Sequence, residues 1–169
     1  MTPFRFEHDF RNASPGDVLA LYFDQGHSDA QDAIAEIDHR EVLALDETAD
    51  QLVRVMKVYP KRQLPAVASS FVNGKIHYTE RLIWKKKEDR IDLEVRPSVM
   101  TEKTFIGITY RVVQKAPGVV LRTYEGKVTC DVRLIGGRVE KFIVDDLGRS
   151  LSATHRCTQD WLDRRAAAR

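Results

Sequence analysis

The sequence predicts an α+β fold: a seven-stranded, curved antiparallel sheet wrapped around one long C-terminal helix, with two short helices after the first strand. Three observations carry that expectation. The first residues alternate, with Phe4, Phe6, His8 and Phe10 on one side and Arg5, Glu7 and Asp9 on the other, the period of a half-buried strand. Residues 75–134 read as four strands broken at Glu88-Asp89, Pro97-Ser98 and Ala116-Pro117-Gly118, the punctuation of a meander. From Arg138 to about Arg165 the pattern turns helical, with Val139, Phe142, Ile143, Leu147, Leu151, Trp161 and Leu162 on one stripe and Glu140, Lys141, Asp145, Arg149 and Arg156 mainly outside it.

Taken in order, the strand at 4–10 is followed by Ser14-Pro15-Gly16-Asp17. Ser14 suits a helix cap, Pro15 the first turn, and Asp17 the position three residues after the cap. A short helix over 15–24 is expected, ended by Gly26, with a second starting at Ser28-Asp29 and carrying Ala30, Ala33, Ile34 and Ile37. Val42–Leu45 and Leu52–Tyr59 read as strands joined by the polar stretch 46–51. Which face of 52–59 is inward stays open, because Val53, Val55 and Tyr59 compete with Leu52, Met56 and Val58. Pro60 and Pro65 mark an exit from the sheet, since proline cannot donate to a ladder. Residues 66–72 fit one helical turn, and Asn73-Gly74 is a turn signal. The strands of the meander fall near 75–87, 90–97, 102–115 and 118–134. The last alternates well: Val120, Arg122, Tyr124, Gly126, Val128, Cys130, Val132 and Leu134 share the dry face, and the mostly polar Leu121–Arg133 set sees water. Gly136-Gly137 ends the meander. A helix of about 26 residues spans ~39 Å, and its stripe needs the dry side of the sheet as cover.

The chain has 169 residues, 43% apolar and 31% charged, which fits a single globular domain over 1–169 and argues against disorder. Net charge is +2 with both signs interleaved, so no basic stripe invites nucleic acid. Lys85-Lys86-Lys87 is followed at once by Glu88-Asp89 and reads as a solvated hairpin end. Cys130 and Cys157 form neither a zinc pattern nor a disulfide framework. No signal-like start and no apolar run of ~20 residues is present, so a reduced, cytoplasmic protein without membrane anchoring is expected. Phosphate-loop, dinucleotide and nucleophile-elbow motifs are absent. His27 with Asp24, Asp29 and Asp32 is the one histidine–carboxylate cluster, and those residues more naturally cap the second helix. No metal or cofactor is expected.

The features that could carry chemistry face the expected interior. On the long helix, Ser150 and Thr154 fall near the middle of the apolar stripe, with Asp146 beside them. A helix that only seals a core prefers large aliphatics there, whereas small polar groups leave space and offer hydrogen bonds to a ligand. The competing reading is a hydroxyl bonded back to the carbonyl four residues earlier. On the sheet, Glu80 alternates in phase with Tyr78, Leu82 and Trp84; Arg122 and Tyr124 share the dry face; His8 sits among phenylalanines; and Tyr110 belongs to the neighbouring strand. A buried charge is costly unless paired, so Glu80 and Arg122 need each other, another partner or a ligand. The candidate ligand-binding set is therefore His8, Tyr78, Glu80, Trp84, Tyr110, Arg122, Tyr124, Asp146, Ser150 and Thr154.

Three stretches, Phe6-Glu7-His8-Asp9-Phe10 before Ser14-Pro15, Ile135-Gly136-Gly137-Arg138-Val139-Glu140-Lys141-Phe142, and Trp161-Leu162, together with the order of elements, resemble the helix-grip fold of the START superfamily. That superfamily includes pollen-allergen-like proteins and polyketide cyclases. The chain is most similar to an uncharacterised bacterial family within it. The resemblance implies a deep cavity between sheet and long helix for lipids, sterols, polyketides or other apolar molecules, and brings no catalytic residues with it. The primary expectation is a binder or carrier of an apolar small molecule. The alternatives are a cyclase or hydratase using Glu80, His8, Arg122 or Tyr124, and a protein-interaction module of the chaperone-activator kind. The enzyme requires two such groups to converge on one spot. The interaction module requires a filled cavity and an exposed apolar patch.

Overall fold

The alternation at the start of the chain becomes β1 (Thr2–Arg11), in which Phe4 and Phe10 are buried and Arg5, Glu7 and Asp9 are exposed. The computed structural model describes residues 1–61 and 76–168. The turn expected at 66–72, Pro65, Asn73-Gly74 and the start of the strand near 75 lie outside the described residues.

Helix α1 (Pro15–Tyr22) begins as its sequence implies. The Ser14 hydroxyl accepts from the Asp17 N–H, the Asp17 carboxylate accepts from the Ser14 N–H at 2.8 Å, and proline occupies the first turn. Helix α2 (Gln25–Ile34) starts earlier than expected. Asp24, not Ser28, is its cap, because the Asp24 carboxylate takes the His27 N–H at 2.8 Å. Gly26 therefore lies inside the first turn of α2 and does not terminate α1. Ile37, expected in this helix, is instead the first residue of β2 (Ile37–Glu47) and its one buried side chain.

The remaining elements are β3 (Gln51–Pro60), β4 (Tyr78–Lys85), β5 (Arg90–Pro97), β6 (Thr104–Ala116), β7 (Val119–Cys130) and α3 (Gly136–Ala167). The strands form a seven-stranded sheet in the order β1-β7-β6-β5-β4-β3-β2, and every neighbouring pair is antiparallel. The pairing slips between Ile37 and His39, between Val42 and Ala44, and between Gln114 and Ala116. Such irregularities bend a strand and increase its local twist. The ambiguity in β3 is resolved: Leu52, Met56 and Val58 are buried, so Arg54, in phase with them, belongs to the dry side. Strand β7 is shorter than its alternation suggests. It stops at Cys130, and Leu134 is 92% exposed in a left-handed conformation (φ 71°).

Helix α3 packs against β1, β7 and α2. Its two leading glycines are not equivalent. A Cβ on Gly136 would overlap the backbone carbonyl of Cys130, whereas one on Gly137 would meet nothing within 4 Å. Glu140, expected outside the packed stripe, is only 4% exposed. Its carboxylate accepts from the Cys130 N–H and the Thr2 hydroxyl, each at 2.8 Å, and pairs with the N-terminal ammonium at 2.9 Å. Burial pushes this carboxyl up, but those hydrogen bonds and the ammonium charge outweigh it and hold the group below the ordinary carboxylate range. Phe142, placed on the stripe by spacing, is 39% exposed. Among the described residues, no helix is long and apolar enough to cross a membrane.

Candidate functional site

Between the dry face of the sheet and α3 lies a cavity of about 400 Å³. Leu93 and Val95 of β5, Ile106 and Ile108 of β6, and Leu147 and Leu151 of α3 give it apolar walls. Gln31 and Asp32 of α2, with Ala35 at its C-terminal cap, contribute a further side. This volume falls in the range of sites that enclose small organic molecules, roughly 300–1,000 Å³.

Eight of the ten candidate residues line this space: Tyr78 and Glu80 from β4, Tyr110 from β6, Arg122 and Tyr124 from β7, and Asp146, Ser150 and Thr154 from α3. Strand periodicity explains the sheet members, since residues two apart share a face. His8 and Trp84 lie outside the lining. His8 faces Arg122 across the β1–β7 pair and sits 5.0 Å from the His155 ring of α3. That helix packs against β1. Trp84 stacks on Phe23 with ring centroids 4.8 Å apart, in the part of the core that α1 closes.

Glu80 and Arg122 do not compensate one another. Burial raises the Glu80 carboxyl above its ordinary value, opposed by the positive charges of Arg40 and Arg54. Arg40 is itself tied to Asp32 through Nε at 2.8 Å and Nη2 at 2.6 Å, a two-pronged ion pair at the α2–β2 side of the cavity. Arg122 is 3% exposed, and its guanidinium carbon stands 4.6 Å from the centre of the Phe10 ring and 5.2 Å from that of Tyr124. Burial also raises the phenols of Tyr22, Tyr78, Tyr110 and Tyr124, so at neutral pH they present protonated hydroxyls.

Along α3 the hydroxyls do what their back-bonding geometry allows. Thr154 donates to the Ser150 carbonyl at 2.9 Å. Thr158, which periodicity did not single out, is buried. Its hydroxyl is 3.2 Å from the Thr154 carbonyl, accepts from Gln31 Nε2 at 2.9 Å and lies 3.2 Å from His27 Nε2. His27 is buried, with Nδ1 2.9 Å from the Leu21 carbonyl, so it stitches the end of α1 to α3. Its carboxylate neighbours are engaged elsewhere: Asp24 with the α2 N-terminus and Arg165, Asp29 with Gln25, and Asp32 with Arg40. Arg40, Arg54, Asp32, His27 and Tyr22 are therefore cavity residues that sequence reasoning missed as ligand contacts. For Arg54 a signal existed, since it shares the phase of Leu52, Met56 and Val58. For Arg40 none did, because the extent of β2 was not legible.

This architecture, a curved antiparallel sheet around a long C-terminal helix, is the helix-grip fold. The chain belongs to the family described as a protein of unknown function, DUF2505, which matches residues 5–162. No curated protein sequence matches it. Among solved structures it is similar to TTHA0849 from Thermus thermophilus, at 14% identity and TM-score 0.66, covering 95% of this chain and 97% of that one. It is also similar to the Zhui aromatase/cyclase from Streptomyces sp. R1128, at 12% identity and TM-score 0.64 over 97% and 96% of the two chains. A START superfamily protein from Mycobacterium smegmatis aligns at 12% identity and TM-score 0.60 over 96% and 97%. At these identities the likeness concerns the fold.

Proposed function

We propose that the chain binds an apolar small molecule, lipid-, sterol- or polyketide-like, in the cavity between the sheet and α3. The observation that carries this reading is the unfilled volume of about 400 Å³ beneath a helix face where Ser150, Thr154 and Thr158 stand in place of large aliphatics. A sheet and helix selected only for stability would close that space, because interiors pack to crystal-like density. The solved structures of this fold include, by name, an aromatase/cyclase and a START superfamily protein, so fold alone does not choose between catalysis and carriage. Carriage has the better support in the residues. Glu80 feels the opposing positive charges of Arg40 and Arg54, Arg122 is packed on Phe10 and Tyr124, and His8 is not among the residues that line the cavity.

The test is titration with Nile red, a neutral apolar dye. Saturable fluorescence enhancement near one dye per chain is expected. Ser150→Phe, which puts a ring into the cavity, should weaken it by about tenfold or more while leaving the far-ultraviolet circular dichroism unchanged. Absence of saturable dye binding, together with native mass spectra showing only the bare chain as purified, would sink the reading.

A further inference from the structure

We propose that Arg122 anchors the ligand by its head group, and that this head group is a carboxylate on an otherwise apolar molecule; the inference rests on the cavity being the ligand site. Arg122 lines the cavity, and its Nε and Nη2 have no hydrogen-bond partner among the described residues. Those two nitrogens form one edge of the guanidinium, the fork that receives both oxygens of a carboxylate in parallel. Of the other arginines of the cavity wall, Arg40 is bonded to Asp32, and Arg54, whose Nε is also unbonded, leaves one nitrogen open where Arg122 leaves a whole edge, and lies within electrostatic reach of Glu80. Among the described residues, Arg122 takes part in no ion pair.

A buried cation with an empty fork costs stability unless something compensates it. The faces of Phe10 and Tyr124 supply part of that compensation. They stabilise the charge and hold the plane of the group, yet they leave its edge unbonded. Backbone pairing on both sides, with His8 of β1 and Val112 of β6, fixes where the side chain starts. The phenol hydroxyls of Tyr110 and Tyr124, which line the same cavity, offer further donors to an oxygen-rich head. Both unbonded nitrogens are sealed from water. Engagement therefore takes a rotation of the guanidinium toward the cavity it already lines. The leucine- and isoleucine-rich walls then receive the tail.

The experiment compares dodecanoate with dodecan-1-ol as competitors of Nile red on the full chain at pH 8, where the acid is ionised. Dodecanoate should bind about tenfold or more tightly than the alcohol, the scale of one charge-assisted pair of hydrogen bonds. Arg122→Met should bring the acid down to the level of the alcohol, both read against the dye affinity of the variant itself. Arg122→Lys, which keeps the charge without the fork, should fall between. Equal affinity for acid and alcohol in the unmodified chain, or a preference that survives Arg122→Met, overturns the assignment of Arg122 and leaves the cavity reading standing. Dye binding with no competition by either probe also overturns it. Failure of the dye itself to bind is the separate result that removes the cavity reading. The comparison of acid and alcohol on the unmodified chain needs no variant to fold.

Discussion

Gly126 of β7 lies opposite Ile108 of β6, and a Cβ built there would overlap the backbone oxygen of Gly107 and come within 2.9 Å of the Phe4 ring. Backbone cannot move aside as a side-chain end can. Gly126→Ala should therefore destabilise the chain by about 1–3 kcal/mol or more, the cost of overpacking a dense interior. Gly137 offers the contrast, since its added methyl would meet open space in the first turn of α3. Gly137→Ala should be neutral or stabilising by up to about 1 kcal/mol. Urea denaturation of both variants checks the pair, and similar effects at the two sites would contradict the packing argument. At this scale the sequence was informative about chemistry and poor about partners. Alternation put Arg122 and Tyr124 on the inner face, but nothing in it said that Glu80 would answer to Arg40 and Arg54. Glu140 was misread because helical spacing marks charged residues as outward, and only the arrival of Cys130, Thr2 and the chain's ammonium makes its burial tolerable.

Elements were legible where local signals agreed and went unseen where one short side chain overrode them. The α1 start was readable because Ser14, Pro15 and Asp17 act within four residues of one another. Removing the cap hydroxyl in Ser14→Ala should cost about 1 kcal/mol, seen as a lower urea midpoint with unchanged slope. No loss would mean that the Asp17 carboxylate alone suffices. The start of helix α2 was ambiguous because Asp24 and the Ser28-Asp29 pair are all good caps, and the earlier one holds the His27 N–H. Strand β2 was underestimated because it is an edge strand. Val42, Leu43 and Leu45 are each 46–61% exposed, so burial imposes no alternation on it. Helix α3 was evident from its length, and its ends moved by only two residues, from Arg138 and Arg165 to Gly136 and Ala167.

For the molecule as a whole, the described polar interior makes stability depend on pH. Burial, the charge of Arg122 and the neighbouring His155 lower the His8 pKa to about 4 from an ordinary 6.5. Burial also lowers His27, partly opposed by its bond to the Leu21 carbonyl. Between these values the unfolded chain holds more protons than the folded one, so stability rises with pH across that window and is complete above it. Tm should drop between pH 7 and pH 5, and His8→Phe should flatten the slope. An unchanged slope would show that His8 already carries its proton when folded. The overall architecture was legible because three long periodic signals, at the two ends and in the meander, admit few arrangements. The size of the cavity was not, because it depends on how far α3 stands from β5 and β6, and side-chain type alone does not set that separation.

The neighbour of β1 in the sheet is β7, with Thr2 opposite Val128 and Arg11 opposite Val119. During synthesis the first strand thus waits, without its hydrogen-bonding partner, until the last strand has been made. At about 5–20 residues per second that interval is on the order of ten seconds. Contacts so distant along the chain also slow folding in the test tube. The exposed Phe4, Phe6 and Phe10 of the nascent chain make that interval the time when aggregation competes most strongly, and the arrival of Val119–Cys130 ends it.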